Sequence, residues 1–292
     1  MNLNRVVVVG AGLLGGSIGL ALKERGLAQK VGAWVRREET VSQCLESGAF
    51  DHASLDPEEV FAGADFVILC VPVARMAEVY AQMQPHLPVG CIVTDVGSVK
   101  TQVIEDLRNP AELGSVRFVG SHPMAGSERS GLSAAAANLF AGRVCALTPT
   151  DTTDAGALDA VEGFWRALGM ATLQMTPERH DAIVASCSHL PHVISAALIL
   201  TVFRNPEDSE TRKMSGSGLR DTSRLASGSP EMWRDISMGN REKILAELEM
   251  FSASLGEFQE ILRENDADAL MRYFDRAKSV RDGWLIEKDG TS

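Results

Sequence analysis

The amino-terminal half of the chain alternates β-branched apolar runs with amphipathic ones. Val6-Val7-Val8-Val9 is an unbroken β-branched run stopped by glycine, the pattern of a parallel strand covered on both faces. The chain from Leu14 to Arg25 then predicts a helix, Val31 to Val35 a second strand and Glu38 to Glu46 a second helix. Asp65 to Val71 is a further apolar strand, stopped by Pro72. Cys91 to Thr94 and Arg117 to Val119 predict later strands, with helices around Arg75 to Met83 and Val99 to Leu107 between them. Arg143 to Leu147 and Ala171 to Gln174 close the series around a helix near Ala155 to Leu168. Strands alternating with helices predict an α/β fold with a doubly wound, mostly parallel sheet.

The pattern changes at Thr176-Pro177, where Thr stands as an N-cap and Pro at the first helical position. Beyond it no strand is predicted. Pro177 to Phe203 reads as largely helical, Asn205 to Asp208 as a turn, Pro230 to about Leu262 as one helix and Asp266 to Trp284 as a last one. The chain therefore divides into residues 1–175 and an all-helical carboxyl-terminal domain, residues 176–292. Ile244, Leu248, Phe251, Leu255, Phe258 and Leu262 form a continuous seam along one helix face. Spacing alone fits a core stripe and a dimer interface equally well.

Composition narrows the function classes. A net charge of −11, from 28 Lys+Arg against 39 Asp+Glu, argues against a nucleic-acid-binding surface, yet leaves room for a local Arg cluster and an anionic small molecule. Five scattered cysteines contain no Cys-x-x-Cys pair, which points to reduced thiols and a cytoplasmic location. The first residues run straight into a strand without a signal-peptide pattern. The apolar stretch from Val193 to Phe203 is too short for a bilayer, which needs about 20 residues, so no membrane partner is expected.

The chemistry begins at Gly10-Ala11-Gly12-Leu13-Leu14-Gly15, between a strand and a helix. The first glycine permits the tight turn, the second removes a Cβ from the path of a pyrophosphate, and the third lets the helix pack on the strand. The helix start offers N–H groups and a positive dipole end to phosphates. Residues 1–175 are thus expected to be a Rossmann-type dinucleotide-binding domain. The end of the second strand should read the ribose, and a carboxylate there marks NAD. Here the residues are Trp34-Val35-Arg36-Arg37, so NADP is favoured, with NAD as the second choice; Trp34 or an Arg plane is placed to flank the adenine.

A second group gathers where strands end. Gly120-Ser121-His122-Pro123-Met124-Ala125-Gly126-Ser127-Glu128 puts a histidine at the carboxyl edge of the sheet, as a candidate general base in a sheet-edge loop. Asp95-Val96-Gly97-Ser98-Val99-Lys100 places Ser98 to orient His122 or a substrate hydroxyl, and also where a helix N-cap is expected. Ser188-His189-Leu190-Pro191-His192 holds two histidines on one helix face, but no carboxylate or cysteine completes a metal set, so no metal is expected. A glycine-containing loop carrying Arg220 and Arg224, with Asp221 between them, comes before Trp233-Arg234-Asp235, and its two arginines form a candidate carboxylate clamp.

In this order, from about Arg5 to Trp284, these motifs together with the strand end Leu69-Cys70-Val71-Pro72 resemble the prephenate/arogenate (cyclohexadienyl) dehydrogenase family. The resemblance implies oxidative decarboxylation of a cyclohexadienyl acid to an aromatic product in tyrosine biosynthesis. It makes His122 the acceptor of the ring-hydroxyl proton and puts Ser98 beside that hydroxyl. Arg224 would bind a substrate carboxylate, His192 and Ser127 would line the substrate site, and Glu128 and Asp221 would pair with arginine near the entrance, in a group that includes Arg220. It assigns the cofactor to Gly10, Gly12, Leu13, Leu14, Gly15, Arg36, Arg37, Val71 and Pro72, and implies a homodimer through the helical domain. The rival expectations are an enzyme like the β-hydroxyacid dehydrogenases and imine reductases, which would place a catalytic Lys or Asp on the inter-domain helix, and an NADP(H)-sensing module without turnover.

Overall fold

The computed structural model describes residues 3–107, 117–126 and 129–290. Strand β1 (Leu3–Val9) leads through the glycine turn into α1 (Leu13–Glu24), followed by β2 (Ala28–Trp34), α2 (Glu38–Glu46), β3 (His52–Ser54) and α3 (Pro57–Phe61). Then come β4 (Phe66–Leu69), α4 (Val73–Met83), β5 (Ile92–Asp95), α5 (Thr101–Leu107) and β6 (Arg117–Pro123). Strands β7 (Val144–Thr148) and β8 (Ala171–Gln174) flank α6 (Ala155–Ala167). The eight strands form one sheet in the order β3-β2-β1-β4-β5-β6-β7-β8, and β6 with β7 is its antiparallel pair. Strand β3 and helix α3 are too short to carry a hydrophobic period, and the sequence pattern does not predict them.

Alternation along the strands builds two cores. Val6 and Val8 of β1 face one side, with Ile18, Leu22, Phe164 and Trp165. Val7 and Val9 face the other, with Phe61, Val67, Met76 and Met83. Both faces are therefore dry and covered by helices, the condition a parallel sheet requires. Strand β1 lies between β2 and β4, so the chain reverses its winding direction there and opens a crevice at the strand ends.

Strand β6 changes partners midway. Residues Arg117 to Val119 pair with β5, and Gly120 to Pro123 pair with β7. His122 therefore lies on the strand, opposite Ala146, and not in a loop beyond it. The polar residues Ser121 and His122 hide this extension from an apolar-run reading. Pro123 is tolerated because it ends the strand.

The helical segment starts as predicted, with the Thr176 hydroxyl accepting from the Arg179 N–H at 3.2 Å. Helix α7 (Pro177–Val184) continues through a π turn (Ala185–His189) into α8 (Leu190–Val202). By length and composition the 26-residue run Pro177–Val202 is sufficient to cross a bilayer, which corrects the expectation drawn from its apolar end alone. Its buried His180, Asp181 and His189, however, all have protein partners. Short helices α9 (Ser209–Met214) and α10 (Ser217–Ser223) come next, then a 3-10 turn (Arg224–Ser227) and α11 (Pro230–Gly239). The segment expected to be a glycine loop is thus α10, which carries Arg220 and Asp221. The single helix expected from Pro230 breaks at Asn240, whose backbone (φ −122, ψ 30) leaves the helical region.

Cα packing separates a compact unit of Met1–Arg241 from a second of Glu242–Ser292. The second unit consists of α12 (Arg241–Arg263), apart from its first residue, and α13 (Ala267–Gly290). Within it Phe258 packs against Tyr273 and Phe274, with ring centroids 5.2 and 5.9 Å apart, and Arg276 pairs with Glu257 at 3.0 Å.

Candidate active site

The glycine turn is backbone chemistry. Gly10 has φ +97, and a Cβ there would stand 2.7 Å from the Cys70 carbonyl oxygen at the end of β4. A Cβ on Gly15 would meet the Gly10 carbonyl oxygen at 2.1 Å. A Cβ on Gly12 would meet nothing within 4 Å, so Gly12 faces open space at the start of α1. No side chain caps that helix start. Two glycines thus make the turn possible and the third keeps a cradle clear before a positive helix end, where Leu13 and Leu14 begin the helix. These residues fit a dinucleotide pyrophosphate. Val71 and Pro72 flank the cradle, with the Val71 Cγ1 3.0 Å from the same Cβ position on Gly10.

At the end of β2, the Trp34 indole donates to the Leu55 carbonyl at 3.0 Å and meets Phe61 edge-on at 5.4 Å. Arg37 is exposed and pairs with Glu39 at 3.1 Å. Arg36 is exposed beside it.

The second constellation is built from side chains. His122 is buried and its Nδ1 lies 2.9 Å from His180 Nε2. His180 Nδ1 lies 2.8 Å from Asp181 Oδ1. The Asp181 carboxylate also accepts the backbone N–H groups of Lys100 and Thr101, at 2.8 and 2.9 Å. It thereby caps α5 from a distant segment, the task expected of Ser98, which is half-buried on the same β5–α5 connection. Below His122, the neighbouring Ser121 is fixed on several sides. Its N–H donates to Asp95 Oδ1 at 3.0 Å, its hydroxyl receives the Trp165 indole N–H at 3.0 Å, and its carbonyl accepts from Lys100 Nζ at 2.9 Å. Lys100 and Asp95 form an ion pair with both side chains fully buried. Such a pair holds geometry when its remaining hydrogen-bonding capacity is used, and here the Gly97 N–H supplies another bond to Asp95 at 2.8 Å.

Burial, and then the neighbouring His180, Lys100 and His189, hold the His122 imidazole well below its usual pKa. It is therefore a neutral ring at neutral pH, able to accept a proton. Burial similarly brings His189 down to about 4. His189 Nδ1 is 3.2 Å from Asn240 Nδ2, and the same amide donates to the Asp181 carbonyl at 2.8 Å. Trp233 stands edge-on to His189 at 6.0 Å and stacks on His192 at 3.7 Å. One continuous set of contacts thus links His122 to His192. The π turn contributes: one extra residue rotates the rest of the helix by about 100°, so His189 and His192 point differently than an unbroken helix would aim them.

Burial lowers the His192 pKa, the hydrogen bond to the Ser188 carbonyl opposes it, and the charge of Arg224 adds to the lowering. Arg224 is exposed on the 3-10 turn that packs on α8. Arg220 and Asp221 are also exposed and make a loose contact of 3.9 Å with each other. Ser127 and Glu128 lie outside the described residues. Among the described residues no group of three His, Cys, Asp or Glu side chains is arranged to hold a metal.

Sequence reasoning does not find His180, Asp181, Asn240, Lys100 and Trp165 as parts of this site. The signal for two of them was an adjacent His-Asp pair just after a helix start; the others carried none by spacing.

The comparisons with known proteins agree with this layout. Residues 18–173 match the prephenate dehydrogenase nucleotide-binding domain, and residues 176–276 match the prephenate dehydrogenase dimerization domain. The chain is 32% identical to the prephenate dehydrogenase of Bacillus subtilis, covering 98% of this chain and 77% of that protein. It is 34% identical to the cyclohexadienyl dehydrogenase of Zymomonas mobilis, covering 94% of each. The crystal structure of the A. aeolicus prephenate dehydrogenase with hydroxyphenyl propionate and NAD+ superimposes with a TM-score of 0.90 at 32% identity, covering 97% of this chain and 99% of that one. With its glycine cradle, its buried neutral histidine and these likenesses along nearly its whole length, the chain belongs to the prephenate dehydrogenase family.

Proposed function

We propose that this protein oxidatively decarboxylates prephenate, arogenate or both, with NAD(P)+ as oxidant, in tyrosine biosynthesis. The observation that carries the reading is His122: a buried, neutral imidazole at the carboxyl end of the sheet, on the side where the glycine cradle opens. His122 takes the ring-hydroxyl proton, and a nicotinamide dinucleotide held on the glycine cradle would supply the acceptor for the hydride that leaves the same carbon. The ring–carboxylate bond breaks, its electrons complete the aromatic ring, CO₂ leaves, and the proton returns to the phenolic oxygen. Aromatisation drives the reaction, so the protein chiefly aligns groups and handles one proton. Ser98 orients the hydroxyl, Arg224 binds a substrate carboxylate, and His192, Ser127, Glu128, Arg220 and Asp221 complete the substrate site and its entrance. Gly10, Gly12, Leu13, Leu14, Gly15, Val71 and Pro72 hold the dinucleotide.

NADP is the preferred cofactor in this reading. Arg36 is its phosphate ligand, since Arg37 is engaged with Glu39. The nucleotide-binding domain is residues 1–175 and the helical domain residues 176–292, a division supported by the two family matches. The protein is a cytoplasmic homodimer. Half-exposed seam residues support the dimer (Leu255 is 48% and Leu262 53% accessible in one chain), and so does the name of the second family domain. Five free thiols support a reducing compartment.

The deciding experiment is a kinetic matrix of prephenate and arogenate against NADP+ and NAD+, followed by absorbance of the reduced cofactor. Turnover of at least one pairing is expected, and no reduction with any pairing overturns the reading. Arg224→Ala should raise the substrate KM about tenfold or more, through loss of a charged hydrogen bond, with a smaller change in kcat.

A further inference from the structure

We infer that His180 and Asp181 are positioning residues that hold His122 in the one tautomer able to accept the substrate proton. The inference rests on the reading of His122 as the base. It follows from counting donors and acceptors. Asp181 receives two backbone N–H bonds from Lys100 and Thr101, so its carboxylate is an acceptor there. Burial works to raise its pKa, but the bonds from His180, Thr101 and Lys100 hold it below the usual carboxylate value. Facing an ionised carboxylate at 2.8 Å, His180 Nδ1 must carry a hydrogen. With its one ring hydrogen placed on Nδ1, His180 offers a lone pair on Nε2, which lies 2.9 Å from His122 Nδ1. His122 Nδ1 must therefore be the donor, and its lone pair is left on Nε2. Apolar neighbours would leave this choice open; the relay closes it.

The other charged and titratable groups near the ring do not compete. Lys100, from the β5–α5 connection, is bound to Asp95 and the Ser121 carbonyl. His189, from the π turn, is bound to Asn240. Once His122 Nε2 takes the hydroxyl proton, the positive charge of the ring is delivered through Nδ1–H to His180, and Asp181 faces it from the far side. Asp181 itself takes no proton. The α5 start that fixes Asp181 is continuous with the segment bearing Ser98, so the relay also ties the base to the residue expected beside the same hydroxyl.

Asp181→Asn is the discriminating variant. In the wild type Oδ1 serves both His180 Nδ1 and the Lys100 N–H, and Oδ2 serves the Thr101 N–H. With the amide NH₂ in the Oδ1 place, the remaining oxygen still accepts from Thr101 while the NH₂ presents a donor to His180 Nδ1. His180 then becomes a donor at Nε2, and His122 must place its own hydrogen on Nε2. The expected result is a fall in kcat of at least about 100-fold, with substrate KM and cofactor Kd within about twofold. The acid limb of the pH–rate profile should move as well. Nitrogen-15 NMR of the histidine-labelled full chain reads the tautomer without turnover: His122 should be protonated at Nδ1 in the wild type and at Nε2 in Asp181→Asn. His180→Gln, whose amide oxygen still accepts from His122 Nδ1, should retain more kcat than His180→Leu. Wild-type kcat and pH profile in Asp181→Asn, or a wild-type His122 protonated at Nε2, would overturn the inference. If Asp181→Asn does not fold, the wild-type tautomer and the His180 pair decide it. If no cyclohexadienyl acid is oxidised, the tautomer still reports on the relay, so the two readings fail separately.

Discussion

The glycine turn and the histidine relay lie at neighbouring strand ends, yet they are made in opposite ways. The turn is six consecutive residues whose function is carried by main chain and by the absence of side chains. The relay joins side chains from β6 and α7, fixed in turn by the α5 start, and its two histidines are 58 positions apart in the sequence. A backbone-built site is damaged by atoms added to it. A side-chain-built site is damaged by atoms removed or by protons misplaced. Substitutions that are mild by size should therefore be severe in one region and tolerated in the other.

The largest effect is expected at the end of the relay. His122→Asn removes the base, and turnover should fall by about 10² to 10⁴. Cofactor affinity, measured by titration of the protein with NADP(H), should hardly change, because the turn is untouched. An equal loss of cofactor affinity with turnover unchanged would erase the separation between the two regions.

Acid should act next, and above about pH 4 chiefly through the buried histidines. The pKa of His189 is depressed from 6.5 to about 4 in the folded chain. Between these values the unfolded chain binds a proton that the folded one refuses, so stability falls as pH drops through that window. For His189 alone the loss is roughly 3 kcal/mol over the full window. His122 and His192 shift in the same direction. Urea unfolding at pH 7 and pH 4.5 should show this loss, and it should be smaller in His189→Gln. An unchanged pH dependence in that variant would mean His189 is not held neutral by burial.

The smallest and sharpest contrast lies within the turn. Gly15→Ala sets a Cβ 2.1 Å from a carbonyl oxygen and should destabilise the free protein by about 2 kcal/mol or more. Gly12→Ala meets nothing within 4 Å, so thermal unfolding of the free protein should shift little, while nucleotide affinity falls about tenfold. A Gly12→Ala protein that binds nucleotide normally would show that the open side of the cradle does not face the pyrophosphate.

The contrast also explains what was legible in the sequence. The turn was readable because each glycine's task is local: tight turn, clear approach and close packing all fall inside one window. The parallel strands were readable because burial on both faces leaves unbroken apolar runs such as Val6 to Val9. His122 was recognisable as a residue, but its place on β6 was not. The strand changes partner at Gly120, and its polar half looks like a loop until β7 is known. Asp181 is hidden from the sequence for a related reason. Ser98 stood in the expected cap position, whereas the carboxylate that caps α5 is about 80 residues away. Asn240 was hidden inside a helix pattern that it interrupts, because its amide is drawn to Asp181 and His189.

The distant cap on α5 has a consequence for how the protein is made. At about 5–20 residues per second of synthesis, the 58 residues added after His122, up to and including His180, take roughly 3–12 s to appear. During that interval the nascent chain already has every residue of its nucleotide cradle, but neither the acceptor for His122 Nδ1 nor the carboxylate that anchors α5. The residues of the cofactor cradle are thus all synthesised well before those that direct the proton, and the second set takes its place only when the late helix locks onto the early one.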